Sequence, residues 1–243
     1  DAYTRTLRFN HNPLNLILGA EKKKGLRIGY MEAGLQGFYL NSMETGIHPQ
    51  KLSKLLTEEF HCTDNESATG LFQFLINEGD RVSYQIMLPY LLSTENINEF
   101  ENIIQKRFFG VERFIRQGKN LYKFVKYTEE RRDPIIWIND LEKGIIGWDM
   151  GLLVSLARSS QACGHITKEK AWDYIEQAAV FIHFFRHPTD ILRHYMPVGH
   201  THQRTGVEAE EKESLMLELE AFAAKDFSES GTAGVAPFRF MVA

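Results

Sequence analysis

The chain has 243 residues, 43% of them hydrophobic, a formal net charge of -4 and two cysteines. The slight acidity excludes a global electrostatic grip on nucleic acid or anionic lipid, while the ordinary apolar share is enough for a sizeable core. No run of about 18 apolar residues reads as a membrane span. Cys62 and Cys163 are too far apart in sequence for a metal-type pair, so two thiols in a reducing cytoplasm is a simpler reading than one disulfide.

Residues 1–24 read as irregular, with a weak alternation over residues 5–9 that suits a short strand. Gly25, Gly29, Gly34 and Gly37 lower any helix forecast beyond them. Pro49 suits a first helical turn, and Leu52, Leu55, Leu56 and Phe60 come after it at helical spacing. Asp64 or Asn65 caps the next helix, whose face is Leu71, Phe72, Leu75 and Ile76, and Gly79 ends it. Val82, Ile86, Met87 and Tyr90 predict a short helix broken around Pro89. Ser93 or Thr94 starts another, with Ile97, Phe100, Ile103, Ile104 and Phe108 on one face. Gly110 and Gly118 divide the next stretch, up to residue 127, into pieces. Residues 134–138 form an apolar plug.

The most informative stretch is residues 144–185. Met150, Leu153, Val154, Leu156 and Ala157 make one apolar stripe, and Trp172, Ile175, Ala179 and Ile182 make a second. Gly164 closes the first helix, Thr167 caps the second and Pro188 stops it. A short connection of this kind predicts an antiparallel helical hairpin. Residues 208–225 predict a last helix with Leu215, Met216, Leu219, Phe222 and Ala223 inward. The fold class expected is mostly α. A single compact multi-helix domain surrounds the buried hairpin, with room for short terminal strands. Residues 1–44 are an irregular segment packed on an all-helical domain of residues 45–243.

Three stretches resemble a bacterial domain-of-unknown-function family typified by the YbeU/YbeR-like proteins. The first runs over residues 70–81 and ends Gly79-Asp80-Arg81. The second holds Gly147-Trp148-Asp149-Met150-Gly151, Leu156-Ala157-Arg158 and then residues 164–172, ending Ala171-Trp172. The third is Ala236-Pro237-Phe238-Arg239. The resemblance implies a mostly helical fold over residues 45–243 and brings no established activity.

Four constellations bear on chemistry. Trp148-Asp149 and Trp172-Asp173 form a near-repeat, so Asp149 and Asp173 are a candidate acid–base pair, with Arg158 and His165 as further catalytic candidates. The blander alternative is that each tryptophan anchors a helix while each aspartate caps or salt-bridges near a helix start. His183, His187, His200 and His202 crowd one segment as weak metal ligands. They lack the glutamate of a zinc-protease helix, so neither metal nor cofactor is expected. Over residues 107–127, Arg107, Arg113, Arg116, Lys119, Lys123 and Lys126 interleave with aromatics. That pattern suits single-stranded nucleic acid, although core aromatics beneath solvated basic groups explain it more simply. Glu208, Glu210, Glu211, Glu213, Glu218 and Glu220 make an acidic face able to steer a basic partner.

These features favour an interaction module with a protein partner, of immunity or antitoxin-like type, rather than an enzyme. Glu210, Glu211, Glu213, Arg116 and Lys119 are its partner-binding candidates, and self-association is compatible with the opposed charges. The alternatives are a hydrolase or transferase built on Asp149 and Asp173 in a cleft, or a nucleic-acid binder using residues 107–127.

Overall fold

A computed structural model describes residues 12–14, 18–129, 141–142 and 144–181. Among these the fold is all-α: nine helices and no strand. The expected strand at residues 5–9, the plug at 134–138, the helix at 208–225 and the third resemblance stretch lie outside the described residues.

The helices are α1 Ala20–Ile28, α2 Tyr30–Gln36, α3 Pro49–Phe60, α4 Asn65–Asn77 and α5 Gly79–Ser93. Then come α6 Ile97–Arg107, α7 Glu112–Glu129, α8 Ile146–Ala162 and α9 Lys168–Val180. Helix α8 is the axis. It packs against α1, α2, α3, α4, α5 and α9. Every residue from Gly147 to Ser160 is buried. A helix surrounded in this way needs apolar or small residues on all sides, so its one-sided stripe extends round the helix to Leu152 and Ser155. Among its polar groups, the Ser159 hydroxyl donates to the Ser155 carbonyl at 2.9 Å.

The hairpin forms as its sequence predicts as far as residue 181, with Ile182 and the Pro188 stop outside the described residues. Gly164 takes φ +78, and the Thr167 hydroxyl accepts the Lys170 N–H at 3.2 Å. Trp172, Ile175 and Ala178 turn inward from α9. Asp64 caps α4 by accepting the Ser67 N–H at 2.9 Å, and that bond holds its carboxyl below the usual range. Phe72 and Leu75 enter the core from α4.

Four local expectations change. Residues 20–36 are helical rather than irregular. Their glycines mark close approaches: a Cβ at Gly25 would strike the Ile175 side chain, and one at Gly29 would sit 2.7 Å from Val154 Cγ1. Helix α5 runs through Pro89. The lost bond would have gone to the Gln85 carbonyl, and Gln85 is exposed to water. Asn96, not Ser93 or Thr94, opens α6, its side chain accepting the Asn98 N–H at 2.8 Å. Ser93 and Thr94 instead close α5 by donating to the Tyr90 carbonyl. Helix α7 passes unbroken through Gly118, where a Cβ would lie 3.3 Å from Phe100 and 3.4 Å from Ile104. Gly118 therefore sets how closely α6 and α7 pack.

Candidate functional site

The densest polar cluster lies where α4 hands over to α5. Gly79 makes that turn at φ +64, a conformation glycine adopts without strain. A side chain there would also collide with the Asp149 carboxylate. Helix α5 starts with no capping side chain of its own. Asp149 supplies the cap from the first turn of α8. Its Oδ1 accepts the Asp80 N–H at 2.8 Å. Its Oδ2 accepts the Arg81 N–H at 3.2 Å and the Arg81 guanidinium at 2.9 Å. The carboxylate thus meets the positive end of α5 and a cation together.

Arg81 closes the other side of the joint. Nη1 donates to the Leu75 carbonyl and Nη2 to the Ile76 carbonyl, each at 2.7 Å. These carbonyls belong to the last turn of α4, which a cation complements. One ion pair therefore finishes α4, begins α5 and fixes both to α8.

Asp80 extends the network toward α7. Its Oδ2 accepts Trp148 Nε1 at 3.1 Å, while Oδ1 accepts Arg113 Nη2 at 2.5 Å and Gln117 Nε2 at 3.5 Å. Burial pushes the Asp149 carboxyl up to about 7, against the pull of its Arg81 donor. A cavity of ≈ 20 Å³ adjoins Asp80, lined by Ser83, Tyr84, Met87, Gln117, Leu121 and Ile145. That is room for about one water and not for a sugar or nucleotide. Both carboxylates are already committed to several donors, whereas a general base needs a lone pair within reach of substrate. What the cluster does chemically is hold helix ends together.

The four catalytic candidates occupy four different places. Asp149 is wholly buried in the joint, and Asp173 is exposed on α9. Arg158 pairs with neither aspartate. It is 1% exposed, donating to the carbonyls of Tyr39 at 2.6 Å, Glu44 at 3.0 Å and Met43 at 3.2 Å. Its guanidinium stands 5.4 Å from the Phe38 ring centroid, and burial lowers its pKa to about 9. His165 lies 3.8 Å from Cys62 Sγ, which is also 3.8 Å from Ser160 Oγ. Burial raises the Cys62 thiol, the reverse of what a thiolate nucleophile requires.

The basic–aromatic stretch also resolves. Arg113, Lys119 and Lys126 bind Asp80, Glu101 and Glu129. Phe108 stacks inward on Phe114, ring centroids 4.6 Å apart, and Tyr122 is buried. A row of open rings for stacking bases is therefore missing from these aromatics. Phe109 is the opposite case, 93% exposed at the turn between α6 and α7. Its φ is +53 and that of Gly110 is +74. The Gly110 N–H reaches the Gln105 carbonyl at 2.8 Å, and the Phe109 N–H the Lys106 carbonyl at 3.4 Å. This is a Schellman closure with phenylalanine in the position glycine normally takes. Arg116 is exposed on α7.

Sequence reasoning missed Asp80, Arg81, Gln117 and Phe109 as site residues. The side-chain contacts of Asp149 span 68 residues, and no spacing rule reaches that far. Phe109 carried no local signal, since a glycine at position 110 permits a left-handed backbone at itself and imposes none on the residue before it. His183, His187, His200, His202, Glu210, Glu211 and Glu213 lie outside the described residues. Among the described residues, no group of three or more His, Cys, Asp or Glu is placed to hold a metal. No described helix is long and apolar enough to cross a membrane.

Residues 55–225 match the family described as protein of unknown function DUF1266. No curated protein and no solved structure matches the chain. Stretches 70–81 and 147–151, both within the matched range, supply the two halves of the Asp149–Arg81 joint. On the extent of the match, the chain belongs to the DUF1266 family.

Proposed function

We propose that this protein is a protein–protein interaction module that docks through the α6–α7 turn. The observation that carries the reading is Phe109, a large apolar side chain 93% exposed and held outward by a left-handed backbone. An exposed aromatic of this kind is the usual anchor of an interface, filling a pocket on the partner. Strained backbone for a bulky residue concentrates at functional sites. The scatter of Asp149, Asp173, Arg158 and His165 favours binding over turnover.

The finer assignments are part of the same proposal. The chain sits with the YbeU/YbeR-like members of its family, works in the cytoplasm and serves as an immunity or antitoxin-like partner. The stretches at 147–151 and 164–172 support the first. The simplest reading of its two thiols supports the second. The third rests on a helical body with one projecting anchor. The test is affinity capture on immobilised wild type and Phe109→Ala, then binding of the purified partner. The expected result is a partner held by the wild type and lost by the variant. Turnover of a small molecule, abolished by Asp149→Asn and indifferent to Phe109→Ala, would refute it.

A further inference from the structure

Resting on that reading, we infer that the α6–α7 turn fits a protein partner presenting an apolar pocket rimmed by carboxylates. Three observations lead there. Phe109 projects with half-exposed Val111 beside it, which gives the contact an apolar centre. The chain on either side of that centre carries Lys106, Arg107, Arg113 and Arg116, all exposed, against Glu112 and the Asp80 carboxylate that pairs with Arg113. Four cations less Glu112 and Asp80 leave the turn locally +2 on a chain of net charge -4. Arg113 has a fixed place in this collar, because its other contact is Asp80 at 2.5 Å in the joint below. An apolar knob inside a cationic ring is complementary to an apolar socket inside an anionic ring, and the ring of charge sets encounter rate and orientation.

The third observation separates a protein pocket from an anionic bilayer, which also attracts basic and aromatic groups. A fluid bilayer accepts a phenylalanine from any direction. Here the direction in which the Phe109 side chain leaves the backbone is set by two successive left-handed residues, Phe109 and Gly110, closed by the hydrogen bond from the Gly110 N–H to the Gln105 carbonyl. Fixed direction at the cost of strain is useful against a shaped pocket. The overall negative charge also opposes approach to an anionic membrane.

The test uses the full chain in its source cell with a benzophenone-bearing phenylalanine in place of Phe109, and in a second strain in place of exposed Val180 on α9. Each crosslinked protein is identified, purified and measured against wild type, Phe109→Ala, and Lys106→Glu with Arg107→Glu and Arg116→Glu. Vesicles of phosphatidylcholine with one-quarter phosphatidylglycerol serve as the lipid probe. The expected result is an adduct at position 109 with a distinct protein and at least a 30-fold affinity loss in Phe109→Ala. The charge-reversed variant should associate at least tenfold more slowly, with a flatter salt dependence. Binding lost in Phe109→Ala but untouched by charge reversal would overturn the carboxylate rim. Vesicle binding that needs Phe109 would replace the protein by a membrane, and an adduct with a second copy would replace it by self-association. A partner crosslinked only at position 180 would remove the turn and leave the interaction reading standing. Absence of any adduct at both positions would overturn the two together.

Discussion

Replacing Asp149 by alanine should destabilise the fold by about 4 kcal/mol. The carboxylate accepts from two peptide N–H groups and one guanidinium. Its side chain is 0% exposed and that of Arg81 is 15% exposed, so water cannot readily take over. Breaking a buried pair from one side costs about 3–5 kcal/mol, since the remaining charge is left uncompensated. The two peptide donors would add about 1–3 kcal/mol each if fully orphaned. Arg81 keeps its Leu75 and Ile76 carbonyls, which moderates the total. In a domain of this size that corresponds to a fall in Tm of roughly 10–15 °C. Asparagine, retaining one acceptor, should cost about half as much. Urea unfolding monitored by tryptophan fluorescence reads the change, Trp148 being adjacent. A cycle with Arg81→Met should give a coupling of about 2 kcal/mol, because the peptide donors stay orphaned in the double variant. Asp149→Ala within about 1 kcal/mol of wild type, at unchanged m-value, would refute the claim that α5 takes its cap from α8.

Gly79→Ala should be nearly as damaging, about 3 kcal/mol or more, since it combines a left-handed backbone with a collision at the Asp149 carboxylate; a melting temperature within about 2 °C of wild type would contradict this. The pH dependence has a defined sign. The Asp149 pKa is raised from 3.8 to about 7 in the folded protein, so between those values the folded state binds a proton that the unfolded state lacks. This group's contribution is greatest at the acid end and is lost as pH rises toward 7, by on the order of 4 kcal/mol. Unfolding free energies of wild type and Asp149→Asn, measured from pH 4 to 8, should show the difference narrowing as pH rises. A gap that widens instead would mean the carboxylate is held below its usual range. Phe109→Gly should raise stability by up to about 1 kcal/mol, because a strained left-handed phenylalanine is relieved and little apolar burial is lost; a lowered denaturation midpoint would show that the ring packs on the body.

The hairpin of α8 and α9 was legible because its signals are local: Gly164, the Thr167 cap and the stripe through Trp172 and Ile175 all act within a few residues. Pro49 as a first helical turn and Asp64 as a cap were legible for the same reason. Glycine was the main source of error, since the same residue breaks an isolated helix and permits two packed helices to touch. Gly25, Gly29 and Gly118 do the second, and only the partner side chains Ile175, Val154 and Phe100 reveal it. For Asp149 the capping alternative described its role, but the helix it caps begins 70 positions upstream. Its cation is Arg81, a pairing made by tertiary geometry. Phe109 reads as one more core aromatic in a basic stretch until the fold shows it exposed.

Arg158 has a consequence for where the cooperative folding unit ends. Its three acceptors, Tyr39, Met43 and Glu44, all precede residue 55, where the family match begins. A fragment cut to the matched boundary would enclose a guanidinium with those acceptors gone, and an unpaired buried charge costs several kcal/mol out of a total near 5–15. It would also strip α1 from the grooves that Gly25 and Gly29 make possible. The stretch of sequence that families share and the stretch of chain that folds as one body therefore have different edges. The upstream loop acts on α8 as a built-in ligand, three carbonyl oxygens delivered by the chain itself, and autonomous folding should appear only in fragments that begin ahead of α1.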